Sequence, residues 1–208
     1  MLCCYFISRA NPDIENLPNR TQAARNLSFV RGQDLIAAVR RWPAGARFTP
    51  QLMLEYNAVL AAASKVSCVL PLRFGSSFRG EAAILRLLAG RRRELLGALD
   101  RLQDKAEMDL RLRLSPNEGA HGTVAGLNEI YRPLDCWSEV RSNPAGERIL
   151  EVAHLILGRE AAAYRQRLAD RPIEITGPWP PFHFLPQFLR MPVRAEHGSA
   201  RAASAAAG

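Results

Sequence analysis

The sequence predicts an α+β protein in two tandem halves, each a set of paired strands with helices laid against it. Three observations carry that expectation. Short β-branched apolar runs alternate with stripes of apolar residues at helical spacing. One segment alternates strictly: Ala106, Met108, Leu110, Leu112 and Leu114 against Glu107, Asp109, Arg111 and Arg113, the pattern of a half-buried strand. The element order β, β–β, α, β, α(α), β of the first half returns as α, β–β, α, β in the second, with Ala106–Leu114 shared or repeated in role. Strands paired in one sheet with helices on one face make a ferredoxin-like arrangement. The expected units are a ferredoxin-like domain over residues 1–114, a smaller related α/β domain over 115–186, and a disordered Ala/Arg-rich tail over 187–208.

In chain order, Met1–Ser8 (MLCCYFIS) is apolar enough for a buried opening strand, and Arg9–Asn26, polar with two prolines, reads as a loop with one helical turn. Leu27–Arg31 and Leu35–Arg40, joined by Gly32-Gln33-Asp34, give a hairpin. Arg41–Phe48 is a loop. Thr49-Pro50 opens a helix, because Thr caps free N–H groups and Pro is tolerated at the first helical position. Its stripe is Leu52, Tyr56, Val59, Leu60 and Ala63. Val66–Phe78 (VSCVLPLRFGSSF) begins as a buried strand. Pro71 belongs at a strand end or edge, and period two places Arg73 opposite Leu72 and Phe74. Gly80–Leu102 is helical in two segments broken near Gly90.

Past the strict strand, Ser115–Gly122 has the composition of a linker. Val124, Leu127, Ile130, Tyr131 and Leu134 mark a short helix, Cys136–Arg141 a strand, and Ser142–Gly146 a turn. Ile149–Leu157 fits either period; its length and flanking glycines favour a strand. Arg159–Asp170 is a helix and Ile173–Thr176 a last strand. Gly177–Leu185 (GPWPPFHFL) is stiff and extended, since each proline fixes its own φ and biases the residue before it. It offers Trp179, Phe182 and Phe184 either to a core edge or to a partner. Pro192–Gly208 has no periodic apolar face.

Composition narrows the function classes. A net charge of +8 favours acidic partners, yet the arginines are dispersed among acids, and Arg91-Arg92-Arg93 is the densest run. No nucleic-acid footprint follows, and no apolar run could enter a membrane. Cys3, Cys4, Cys68 and Cys136 show no metal-ligand spacing and read as free thiols of a reducing cytoplasm. The histidines His121, His154, His183 and His197 have no HxxxH or HxH spacing, and no GxSxG, Walker loop or GxGxxG occurs. No catalytic residue, cofactor or metal is expected. His154 reads as a core histidine, His183 as exposed, and the charged row Glu107–Arg113 as a solvated sheet face.

VLPLRFGSSF at Val69–Phe78 and TGPWPPFHF at Thr176–Phe184, with the helix before the first motif, the LSFVRGQDLIAAV hairpin and AEMDLRLRL, resemble the gas-vesicle accessory proteins of the GvpL/GvpF family. The resemblance runs to about Pro186. It implies a ferredoxin-like N-terminal domain, a C-terminal α/β domain with a helical part, and a non-enzymatic role in vesicle assembly. The implied partners are the hydrophobic shell protein and other vesicle accessory proteins, at the gas vesicle. Two departures stand out: Phe182 replaces the family's usual tyrosine after Trp-Pro-Pro, and the short Leu114–Leu134 segment reduces the helical part. Arg73, Phe74, Phe78, Trp179, Pro180 and Phe182 are the expected protein-binding residues, with the aromatics covering apolar shell-protein surface and Arg73 fixing orientation. The competing reading is a basic ferredoxin-like RNA-binding or small-ligand module, although RNP-type aromatics are missing from the strands.

Overall fold

A computed structural model describes residues 1–42, 49–115, 117–167 and 173–190. The tail from residue 191 onward, His197 in it, and most of the Arg41–Phe48 loop lie outside the described residues.

The first half runs β1 (Leu2–Arg9), the short helices α1 (Pro12–Glu15) and α2 (Leu17–Arg20), the hairpin β2 (Ser28–Gly32) and β3 (Leu35–Arg41), α3 (Pro50–Ser64), β4 (Val69–Pro71), β5 (Ser77–Phe78), α4 (Glu81–Gly90) and α5 (Arg92–Leu102). Its antiparallel sheet has the order β2-β3-β1-β4, with β5 also pairing β1. A register shift between Cys4 and Phe6 interrupts the β1–β3 ladder. The extra residue resets the side-chain alternation, so Tyr5 and Phe6 enter the same core cluster while Cys4 and Ile7 enter the other. Each face of β1 is therefore dry. Tyr56, Val59, Leu60 and Ala63 of α3 cover one, and Ile84, Leu88, Leu95 and Leu99 of α4 and α5 the other. Helices on both faces replace the expected one-sided cover; an opening strand apolar on both faces requires it.

Helix α3 starts as its sequence dictates. Thr49 Oγ1 accepts from the Leu52 N–H at 3.3 Å and Pro50 fills the first turn. The predicted break near Gly90 separates α4 from α5. The Arg9–Asn26 segment, expected to hold one helical turn, folds into α1, α2 and a 3₁₀ turn at Gln22–Ala24, with Asn11 capping α1 through the Ile14 N–H.

The second half runs β6 (Lys105–Leu114), α6 (Ala120–Tyr131), β7 (Asp135–Ser142), β8 (Arg148–Leu157), α7 (Ala161–Gln166), β9 (Glu174–Trp179), a 3₁₀ turn at Phe182–Phe184 and α8 (Gln187–Arg190). Its sheet is antiparallel with the order β7-β8-β6-β9. The strand expected to close the first unit thus opens the second sheet: Lys105–Leu114 pairs β8 along its whole length, and α6 and α7 cover its apolar row. Helix α6 stops before Leu134 because Arg132 takes a left-handed φ of 46° ahead of Pro133. The tail expected from residue 187 begins as α8, with Leu189 sealed in the core.

The halves share a core. Ala153 and Leu155 on the second sheet, and Phe184, Leu185 and Leu189 after it, join the cluster holding α4, α5 and one face of β1. At about 25 cal/mol per Å² of apolar area, a continuous cluster of this kind resists separation of the two sheets.

Candidate functional site

An open cleft of about 440 Å³ lies where the halves meet. Val66, Val69, Leu102 and Ala106 supply apolar lining, and Pro178–Pro181 form the facing wall. Both lysines of the chain, Lys65 and Lys105, also line it. Trp179 is 37% exposed in this wall, and its indole N–H donates to Thr176 Oγ1 at 3.1 Å. The ring is fixed at its polar end and open at its apolar one.

The last strand, expected to end at Thr176, runs on through the first part of the stiff, extended segment to Trp179. Trp179 pairs Glu107 and Thr176 pairs Asp109, so β9 carries one residue more than β6 between these pairs. Gly177 absorbs the bulge at φ 108°; a Cβ there would stand 2.6 Å from the Glu107 carbonyl oxygen. Only glycine meets both conditions. Arg165 donates to the Gly177 carbonyl and ties α7 to the same point.

The expected binding residues fall into three environments. Trp179 and Arg73 are exposed. Phe74 and Phe182 are half-buried and pack on one cluster, where Phe74 meets Tyr56 at 5.3 Å and Trp42 at 6.3 Å. The two sequence motifs, about a hundred residues apart in the chain, thereby converge beside α3. Phe78, 5% exposed, offers no face to a partner, which corrects the expectation for it, and Pro180, also buried, contributes only to the cleft wall. The period-two placement of Leu72 and Phe74 on one face is corrected too. Strand β4 ends at Pro71, Gly75 turns the chain at φ 86°, and the two residues enter different clusters.

A polar latch holds the aromatic segment. Glu107 is 1% exposed and accepts from the His183 backbone N–H and from its Nδ1, both at 2.8 Å. The His183 ring stacks on Trp137 at 4.1 Å. Burial pulls the His183 pKa down, but the hydrogen bond and charge of Glu107, with Asp109 and Glu151, outweigh it and raise the net value. Burial first, then the Glu107 charge, push the Asp109 carboxyl up to about 7. The charged row of β6 is therefore not a solvated face at its acidic end, and His183 is not simply exposed. The sequence carried one signal of this: acids occupy the first half of the row and arginines the second, so its two ends meet different surroundings.

His154 is a core residue as expected, its Nδ1 at 2.7 Å from the Tyr164 hydroxyl.

The family described as gas vesicle synthesis protein GvpL/GvpF matches residues 4–135. The chain belongs to the GvpL/GvpF family. Among curated proteins it is 24% identical over 145 residues to gas vesicle protein F2 of Halobacterium salinarum, covering 65% of this chain and 64% of that one. It thus spans somewhat under two thirds of that relative's length. Among solved structures, GvpF of Microcystis aeruginosa superposes with TM-score 0.66 at 12% identity, covering 88% of this chain and 98% of that one. GvpF of Anabaena sp. PCC7120 gives TM-score 0.63 at 14% identity, covering 94% and 97%. At these identities the two structures establish a GvpF-type fold of mixed helix and antiparallel sheet. No helix among the described residues is long and apolar enough to cross a membrane.

Proposed function

We propose that the protein acts in gas vesicle assembly by holding apolar segments of the hydrophobic shell protein in the cleft beneath Trp179, as a non-enzymatic chaperone or minor structural component. The observation that carries this reading is an outward-facing tryptophan, its indole N–H held by Thr176, on the lip of a cleft with both apolar and polar lining in a GvpL/GvpF chain. A proline-fixed segment loses little entropy on binding, so its aromatic area converts efficiently into affinity. Arg73 and the edge of Phe74, at the exit of β4, orient the incoming segment, and other vesicle accessory proteins complete the assembly at the vesicle. The strand order second, third, first, fourth, common to both sheets, supports reading each half as a ferredoxin-like unit, with a second helical layer added in the first. The pairing of β6 favours a unit boundary at Gln103-Asp104.

The position of the lysines gives a direct test. Lys65 and Lys105 both line the cleft, so amine-reactive mass tags report its occupancy. Co-expressed shell protein is expected to co-purify and to protect both lysines, and Trp179→Ser to reduce the captured amount severalfold while leaving the protein folded. Failure to associate, or association with unchanged lysine labelling, refutes the cleft as the binding site.

A further inference from the structure

Strand β6 turns Glu107 and Asp109 to the sheet face opposite α6, the face that the segment after β9 partly closes. Glu107 is buried and Asp109 beside it half-buried; two adjacent acids in such surroundings need compensation, by a counter-charge, a retained proton or a bound metal ion. Among the described residues, the one basic side chain bonded to either carboxylate is His183, on Glu107. Asp109 Oδ1 is buried and has no hydrogen-bond partner among the described residues. One ligating atom each from Glu107, Asp109 and His183 lie within 4.8 Å of one another. A cavity of about 260 Å³ opens beside them, its polar lining made by Asp109, Glu151, Glu174, Thr176 and His183 together with one arginine, Arg111.

We propose that Glu107, Asp109 and His183 form a binding site for a single divalent first-row cation of the zinc–manganese class. Two carboxylate oxygens and one imidazole nitrogen are a mixed hard and borderline donor set, which suits these ions better than calcium or copper(I). Three protein ligands leave further coordination positions on the cavity side for water or an exogenous oxygen donor. The His183 backbone N–H on Glu107 Oε2 leaves Oε1 facing the ring nitrogen and orients the carboxylate for the ion. The third ligand, Asp109, is the one whose oxygen is orphaned. The ion would stitch β6 to the segment that carries Trp179, 76 residues away in the chain at His183. This inference stands independently of what the cleft binds.

The test uses the full-length chain without a polyhistidine tag, stripped with chelator and titrated with Mn²⁺ and with Zn²⁺ by calorimetry, with electron paramagnetic resonance for Mn²⁺. One ion per chain is expected, together with a rise in thermal midpoint. Asp109→Asn keeps shape and leaves the Glu107–His183 hydrogen bonds intact, so it folds, and it is expected to weaken binding by about tenfold or more. Glu107→Gln and His183→Ala should do the same where they fold. Mn²⁺ is the deciding probe because the four thiols compete for Zn²⁺ but poorly for Mn²⁺. The proposal is overturned by absence of saturable Mn²⁺ and Zn²⁺ binding, by undiminished binding in Asp109→Asn, or by Zn²⁺ uptake that only cysteine replacement abolishes.

Discussion

The two halves have the same strand order and opposite treatment of their first strands, β1 and β6. In the first sheet, β1 is apolar on both faces, and a helical layer covers each one. In the second, β6 is apolar toward α6 and α7 only, and a short aromatic segment partly closes its other, charged face. The lesson is that the same topology serves as a sealed scaffold when helices cover it twice. It becomes a platform for polar groups when one cover is a strap. The outward tryptophan and the Glu107–Asp109 pair of carboxylates both belong to the strapped half.

Substitutions can break or sharpen this contrast, beginning with the largest expected effect. Phe78→Ala, in the sealed half, should cost about 3–5 kcal/mol in denaturant unfolding, as for other buried aromatics, with any loss of shell-protein capture merely tracking stability. A cost under about 1 kcal/mol would show that this half is not sealed at Phe78.

The second expectation concerns pH. Burial lowers the His154 pKa to about 4 from an ordinary 6.5. The native state therefore refuses a proton that the unfolded chain accepts. Stability is full above pH 6.5 and falls as pH drops toward 4, by up to about 3 kcal/mol. His154→Gln should flatten that part of the stability profile measured by urea melts between pH 4 and 7; an unchanged slope would assign it to other groups.

Gly177→Ala comes next. The imposed φ and the close Glu107 carbonyl should cost about 2–3 kcal/mol and displace the strap, seen as increased quenching of tryptophan fluorescence in a Trp42→Phe, Trp137→Phe background. Gly126, inside α6 with open space around its Cβ position, provides the contrast: Gly126→Ala should raise stability by about 0.5–1 kcal/mol. The smallest stability effect belongs to Trp179→Ser, below about 1 kcal/mol, yet it is expected to remove most of the capture. Equal loss of stability and capture would make Trp179 a core residue instead of a contact.

Much of the scaffold was legible in the residues. The Thr49-Pro50 start, the stripe from Tyr56 to Ala63, the break near Gly90 and the strict alternation of β6 are local signals, and the structure realises each. The motifs at Val69–Phe78 and Thr176–Phe184 located the segments that meet at the cleft, but not which side chains would face it. Leu72, Phe74 and Phe78 look alike in sequence and end in two different clusters, because Pro71 stops the strand and Gly75 redirects the chain.

The polar site was hidden for a different reason. Alternation reports that Glu107 and Asp109 share a face with Arg111 and Arg113, and a charged face reads as wet. What dries its acidic end is His183, which arrives through contacts of long sequence separation. Periodicity is set by local backbone geometry and so is written in the sequence. Burial of a given polar atom depends on which distant segment comes to rest upon it, and only the tertiary structure fixes that.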